Sequence, residues 1–122
     1  MRGLFLCLVV GLVVSSCAAR TMTPKEFALA AFDMSDGVYQ AEQQLYAAGL
    51  YTEEKHRMLA DVVLRLLVAA RGFDQAVNGV TDQPVGNARQ NFALAVDDLE
   101  VVVAGIPRLE AAVKALRALM GS

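Results

Sequence analysis

Apolar positions between residues 24 and 120 recur at spacings of three and four, the mark of helices that each bury one stripe. The first run is Phe27, Ala31, Met34, Val38, Ala41, Leu45 and Ala48. Its alternation of four and three is a heptad seam, narrower than a loose amphipathic face. Thr23-Pro24-Lys25-Glu26 opens this helix. Threonine caps, proline suits the first helical position, and Glu26 completes a capping box. Gly49 closes it. Thr52 caps a second helix with Glu53 and Glu54 in its first turn. The second seam runs Leu59, Val63, Leu66, Ala70, Phe73, Val77, and Val62, Leu64, Leu67, Val68 and Ala69 widen it. A helix apolar on most sides contacts more than one neighbour, so this one is expected to be the most buried. Asp61 and Arg65, four apart, keep one edge solvated. Asn78-Gly79 ends the second helix, and 80–86 reads as a loop on its Asp82, Pro84 and Gly86.

The third seam is Phe92, Ala95, Leu99, Val102, Ile106, Leu109, Val113, Leu116, Met120. Its phase runs unbroken across Gly105-Ile106-Pro107, although proline inside a helix costs about 3 kcal/mol. Either one long helix is kinked there, or Gly105 ends a third helix and Pro107 starts a fourth. The kept phase and the very short connection favour the kink. The expected fold is therefore all-α: a small antiparallel three-helix bundle over 24–122, with helices near 24–48, 52–78 and 87–120 and the third kinked at Gly105–Pro107. A four-helix bundle is the alternative. An unbroken third helix overshoots its neighbours, leaving Leu109, Val113, Leu116, Leu119 and Met120 to fold over the bundle or to meet a protein partner or a second copy of the chain.

The first sixteen residues follow a different pattern. Arg2 precedes an apolar run from Leu4 to Val14, broken only by Gly11. As a helix that run is about 16 Å long, roughly half a hydrocarbon core, which suits an export signal better than a permanent span. Val14-Ser15-Ser16-Cys17 then resembles the lipobox of bacterial lipoproteins, with valine in place of the commoner leucine and serine in place of glycine or alanine before the cysteine. The resemblance covers residues 1–17. It implies diacylglyceryl transfer to the Cys17 sulfur, cleavage before Cys17, and further acylation by chains such as palmitate. Cysteine suits the step because its thiolate is a strong nucleophile. Residues 17–23 would then be the lipidated cysteine and a short tether, about 20 Å from Ala18 to Thr23 if fully extended. In a Gram-negative host, Ala18 after the cysteine implies the outer membrane. An ordinary secretory signal cut after Ala18 is the competing reading. Either cut discards Cys7, so no disulfide is available within the mature chain.

The chain has 122 residues, 56% of them apolar, and a net charge of −2, which loss of Arg2 lowers by one. That composition fits one small ordered domain and argues against a basic nucleic-acid binder. Candidate chemistry is sparse. Glu53-x-x-His56 is half of a di-iron bundle motif, but His56 is the single histidine, so no metal or other cofactor is expected. His56 reads instead as a half-exposed residue at the bundle end, where it can respond to pH. Ser35 and Ser122 have no base partner visible in the sequence, and no nucleophile elbow occurs, so no catalytic residue is assigned and the chain is not expected to be an enzyme. Asp33 with Asp36, and Asp97, Asp98 with Glu100, read as solvated helix faces. Tyr39 and Tyr46, seven apart, share a helix face suited to packing or contact. The reading that follows is a membrane-anchored envelope lipoprotein acting as a structural or protein-interaction module. Two alternatives stand beside it. One is a helical bundle holding a small molecule or lipid near Met34, Phe73 and Phe92. The other is a phage or mobile-element lipoprotein that interferes with an envelope process.

Overall fold

The computed structural model describes residues 22–121, which form four helices: α1 (Pro24–Ala47), α2 (Glu53–Val77), α3 (Val85–Val102) and α4 (Pro107–Leu119). They run alternately up and down. Each helix packs on the next, and α4 closes the ring against α1. By helical rise α1 and α2 are about 36–38 Å long, α3 about 27 Å and α4 about 20 Å.

Local chemistry accounts for the ends. Thr23 Oγ1 accepts from the Glu26 N–H at 3.1 Å, and the Thr23 N–H donates to Glu26 Oε1 at 3.0 Å, a complete capping box with proline following. Thr52 caps α2 by accepting from the Lys55 N–H. Helix α1 ends in a Schellman turn. The Gly49 N–H donates to the Tyr46 carbonyl, the Leu50 N–H reaches back to that of Leu45, and Gly49 takes φ +78°. Gly79 and Val80 repeat those bonds on Ala76 and Gln75 at the end of α2.

The expected kink is instead a reversal. Helix α3 stops at Val102, Gly105 adopts φ +89°, and α4 begins afresh at Pro107 and runs back along the bundle. The four-helix alternative therefore describes the fold, and the three-helix count is corrected. The kept phase misled because a reversal consumes residues too. Val103 and Leu109, either side of it, are both buried in the same core, so the apolar rhythm continues while the chain direction inverts. Proline lacks an N–H but sits where a helix N-terminus needs none, and its penalty vanishes. The Gly105 N–H donates to Glu110 Oε2, which ties the turn to the first turn of α4.

Leu109, Val113 and Leu116 are buried, and Leu119 and Met120 pack against the same core. The stripe expected to fold over the bundle or to meet a partner packs on the core of this chain, with Leu119 and Met120 half-buried. Helix α2 shows all of its expected seam buried or half-buried, but Leu64 and Val68, expected to widen its buried face, are exposed. In α1 the buried positions are Phe27, Ala28, Ala31, Ser35, Val38, Glu42 and Leu45. Two polar residues occupy the seam there, in place of the half-buried Met34 and Ala41. Ser35 is satisfied by donating to the Ala31 carbonyl at 2.7 Å. Glu42 needs partners from elsewhere.

Candidate functional site

Glu42 is fully buried on α1, one turn before the helix ends. An unpaired carboxylate in that position would cost several kcal/mol. The turn into α2 supplies its partners. The Schellman turn at Gly49 sends Tyr51 back over α1, where its hydroxyl donates to the Glu42 carbonyl (2.8 Å) and Oε2 (3.0 Å). His56, in the first turns of α2, donates from Nδ1 to the same Oε2 at 2.5 Å. Gln43 Nε2 approaches Oε1 at 3.3 Å. Tyr46 lies flat on the His56 ring, with centroids 3.9 Å apart and planes 4° from parallel, and stacks more loosely on Tyr51 at 6.3 Å. Burial, then the hydrogen bond to Glu42, then the nearby carboxylate charge push the Tyr51 hydroxyl well above its ordinary value of 10. Its proton stays on oxygen and serves the carboxylate.

A histidine whose Nδ1 is held by a carboxylate is the acid–base half of a hydrolytic triad. The nucleophilic half is not assembled among the described residues. Ser35 is turned into the core on its own helix, and Ser122 lies outside the described residues. The half di-iron motif comes apart in space. Glu53 pairs with Arg57 at 2.8 Å, while His56 turns to Glu42. No group of three His, Cys, Asp or Glu among the described residues stands close enough to hold a metal ion.

The opposite end of the bundle is aromatic. Phe27 meets Phe73 edge-on at 5.6 Å, Phe73 lies 6.3 Å from Phe92, and the Arg89 guanidinium covers the Phe27 ring at 4.4 Å. Phe73 and Phe92, expected as possible cavity walls, fill one another's space, and Met34 is half-buried. Two of the open grooves along the outside flank α3. One, about 490 Å³ between α3 and α4, is lined by Glu100, Val103, Glu110, Lys114 and Arg117. Arg117 crosses it to Asp97 and Glu100, and its hydrogen bonds to Glu100 and then Asp97 raise its pKa further above the ordinary guanidinium value. The other, about 430 Å³ between α2 and α3, is lined by Asp61, Leu64, Arg65, Val68, Ala88 and Asn91.

Of the residues expected to matter, Cys17, the signal segment 1–16 and most of the tether lie outside the described residues. Tyr46 joins the Glu42 cluster, while Tyr39 packs half-buried against the core. Asp97 and Glu100 engage Arg117, and Asp98 faces Arg65 at 3.9 Å. Glu42 and Tyr51 were not singled out by sequence reasoning. The available signal was a glutamate at a seam position, seven residues after Ser35 and three before Leu45. No described helix is long and apolar enough to cross a membrane. Compared with protein-family models, curated proteins and solved structures, the chain matches none at a significant level.

Proposed function

We propose that this protein is a small lipoprotein of the bacterial cell envelope, held to a membrane by acyl chains on Cys17 and acting by contact through a rigid four-helix body. The observation that carries this reading is the Val14-Ser15-Ser16-Cys17 lipobox six residues ahead of the Thr23 helix cap. Two or more acyl chains give durable anchoring, at about 0.8 kcal/mol per buried CH₂. A tether this short holds the Phe27–Phe73–Phe92 end near the bilayer. The Glu42–Tyr51–His56 end then points away from it, about 36 Å along α1 by helical rise. We read that cluster as the fastening of the far turn, not as a catalytic pair, because its carboxylate is saturated by Tyr51 and His56 and one face of the imidazole is covered by Tyr46.

The anchor is tested by membrane fractionation of the full chain beside its Cys17→Ser variant, together with the mass of the processed N-terminus. The expected result is a diacylated Cys17 in the membrane fraction and loss of membrane association on substitution. An unmodified N-terminus after Ala18 in the soluble fraction would overturn it.

A further inference from the structure

Most of the large apolar side chains that the helices leave in water gather on one face. Met58, Leu64 and Val68 stand on α2, and Leu94 and Val101 on α3. Val68 and Val101 are 71% and 76% exposed, the two most exposed large apolar side chains among the described residues. These five share one side of the bundle. Leu64 and Val68 line the α2–α3 groove together with Asn91. Leu94 is one turn from Asn91 and one turn from Asp98, which crosses the groove to Arg65 at 3.9 Å. Val101 and Met58 continue the same rows by three residues beyond Asp98 and Asp61. Exposed apolar side chains gathered around one cross-helix ion pair on a small domain mark a contact surface.

The charges on this face identify what covers it. Because α2 and α3 run in opposite directions, the Arg65–Asp98 contact sets a common level. Val68 and Leu94 both lie about one turn toward the Phe27 end, while Leu64 lies one residue and Val101 three residues toward the His56 end, about 3 Å apart in height. A two-fold axis parallel to the bundle lays α2 of one copy against α3 of another with every level preserved. Val68 then meets Leu94 of the second copy, Leu64 meets its Val101, and Arg65 meets its Asp98. Val68 and Leu64 then face apolar side chains, and Arg65 faces a carboxylate, the self-complementarity an isologous interface requires. Arg65 is more than half exposed: within the chain it pairs with Asp61 at 2.8 Å and reaches its own Asp98 only at 3.9 Å.

We propose that the α2–α3 face is a homodimer interface, with a second copy of this chain as its occupant. The face is about 27 Å long, the length of α3, and two helix diameters of about 10 Å wide. That footprint, about 540 Å², approaches the ~600 Å² per partner at the small end of stable dimers. The direction of pairing rests on the anchored reading, since only an axis along the bundle lets both N-termini enter one membrane. The pairing itself does not.

The test is the molar mass of the detergent-solubilised full chain by light scattering on a sizing column. The expected value is twice the chain mass, falling to the single-chain value for Val68→Glu and for Leu94→Glu with far-ultraviolet circular dichroism unchanged. Arg65→Glu should weaken the dimer at least tenfold, and Arg65→Glu combined with Asp98→Arg should recover it. If a glutamate variant loses helicity, Val101→Lys, at the most exposed position, takes its place. A wild-type chain of single mass, a different protein found on the face, or dimers indifferent to all of these substitutions would overturn the proposal. Cys17→Ser separates the two readings: a variant that leaves the membrane yet keeps its doubled mass upholds the pairing, and a wild-type dimer in the soluble fraction removes the anchor alone.

Discussion

The two ends of the bundle are held by opposite kinds of chemistry. At the end where α1 begins, Phe27, Phe73 and Phe92 interlock and Arg89 covers them. Nothing there depends on a particular proton, and the stabilisation scales with apolar area removed from water. Where α1 turns into α2, the centre is a buried carboxylate, and Tyr51 and His56 exist in the structure chiefly to satisfy it. Such a cluster adds little net energy over a well-packed apolar one, but losing one member exposes the desolvation cost of the rest. An aromatic end tolerates changes of condition and punishes loss of volume. The carboxylate end tolerates little loss of a partner, yet can absorb replacement of the charge itself.

Five substitutions sharpen that contrast. The largest effect is expected from Phe92→Ala, which empties a fully buried site between Phe73 and the α3 backbone. Loss of about 3–5 kcal/mol is expected in urea unfolding, and a loss below 1 would mean the aromatic end is not the apolar anchor described. Next is His56→Ala, which leaves Glu42 buried with one fewer donor. The expected cost is about 3 kcal/mol, the low end for a broken buried pair because water reaches the imidazole side. Glu42→Leu should cost clearly less, because it removes the charge and fills the seam while Tyr51 retains the Glu42-position carbonyl. The reverse order of those two variants would contradict the account of this end.

Gly105→Ala probes the α3–α4 reversal. Space is open around Gly105, so only its left-handed backbone resists a side chain. A loss of about 1–2 kcal/mol is expected, and an unchanged thermal midpoint would show that the turn is not held in that conformation. The smallest effect belongs to Tyr51→Phe, at about 1 kcal/mol for a hydrogen bond to a largely satisfied acceptor. Its pH dependence is more telling. The fold raises the Tyr51 pKa above its ordinary value of 10. The unfolded chain therefore loses the Tyr51 proton first. The stabilisation is complete below pH 10 and declines as pH rises beyond it. Tyrosinate absorbance should show one tyrosine resisting ionisation until the protein unfolds, and Tyr51→Phe should flatten the alkaline fall in stability. The aromatic end contributes no such slope.

Much of the architecture was written in short-range signals. Thr23-Pro24-Lys25-Glu26, Thr52, Gly49 and Asn78-Gly79 act within a turn of themselves, so helix ends expected at 24–48 and 52–78 lie within about one residue of those found. The α2 seam was legible for the same reason, as every member sits on one helix. Gly105-Ile106-Pro107 was not resolved, because phase is conserved both by a bent helix and by a reversal into the same core, and only the packing of Leu109, Val113 and Leu116 against α1 chooses between them.

The candidate site was hardly visible at all. A glutamate at a seam position reads as surface until it is known that Tyr51 folds back across a turn and that His56, fourteen residues away, arrives at hydrogen-bonding distance. Leu64 and Val68 erred in the other direction, since hydrophobicity alone says that a side chain prefers cover but not whether this chain supplies it. Sequence by itself determined the helices, their ends, the antiparallel order of the first three and the resemblance at Cys17, because each depends on neighbours a few bonds away. Tertiary structure alone decided the number of helices, the burial of Glu42 and the side left apolar in water, because burial belongs to a position in space, and residues far apart along the chain create it together.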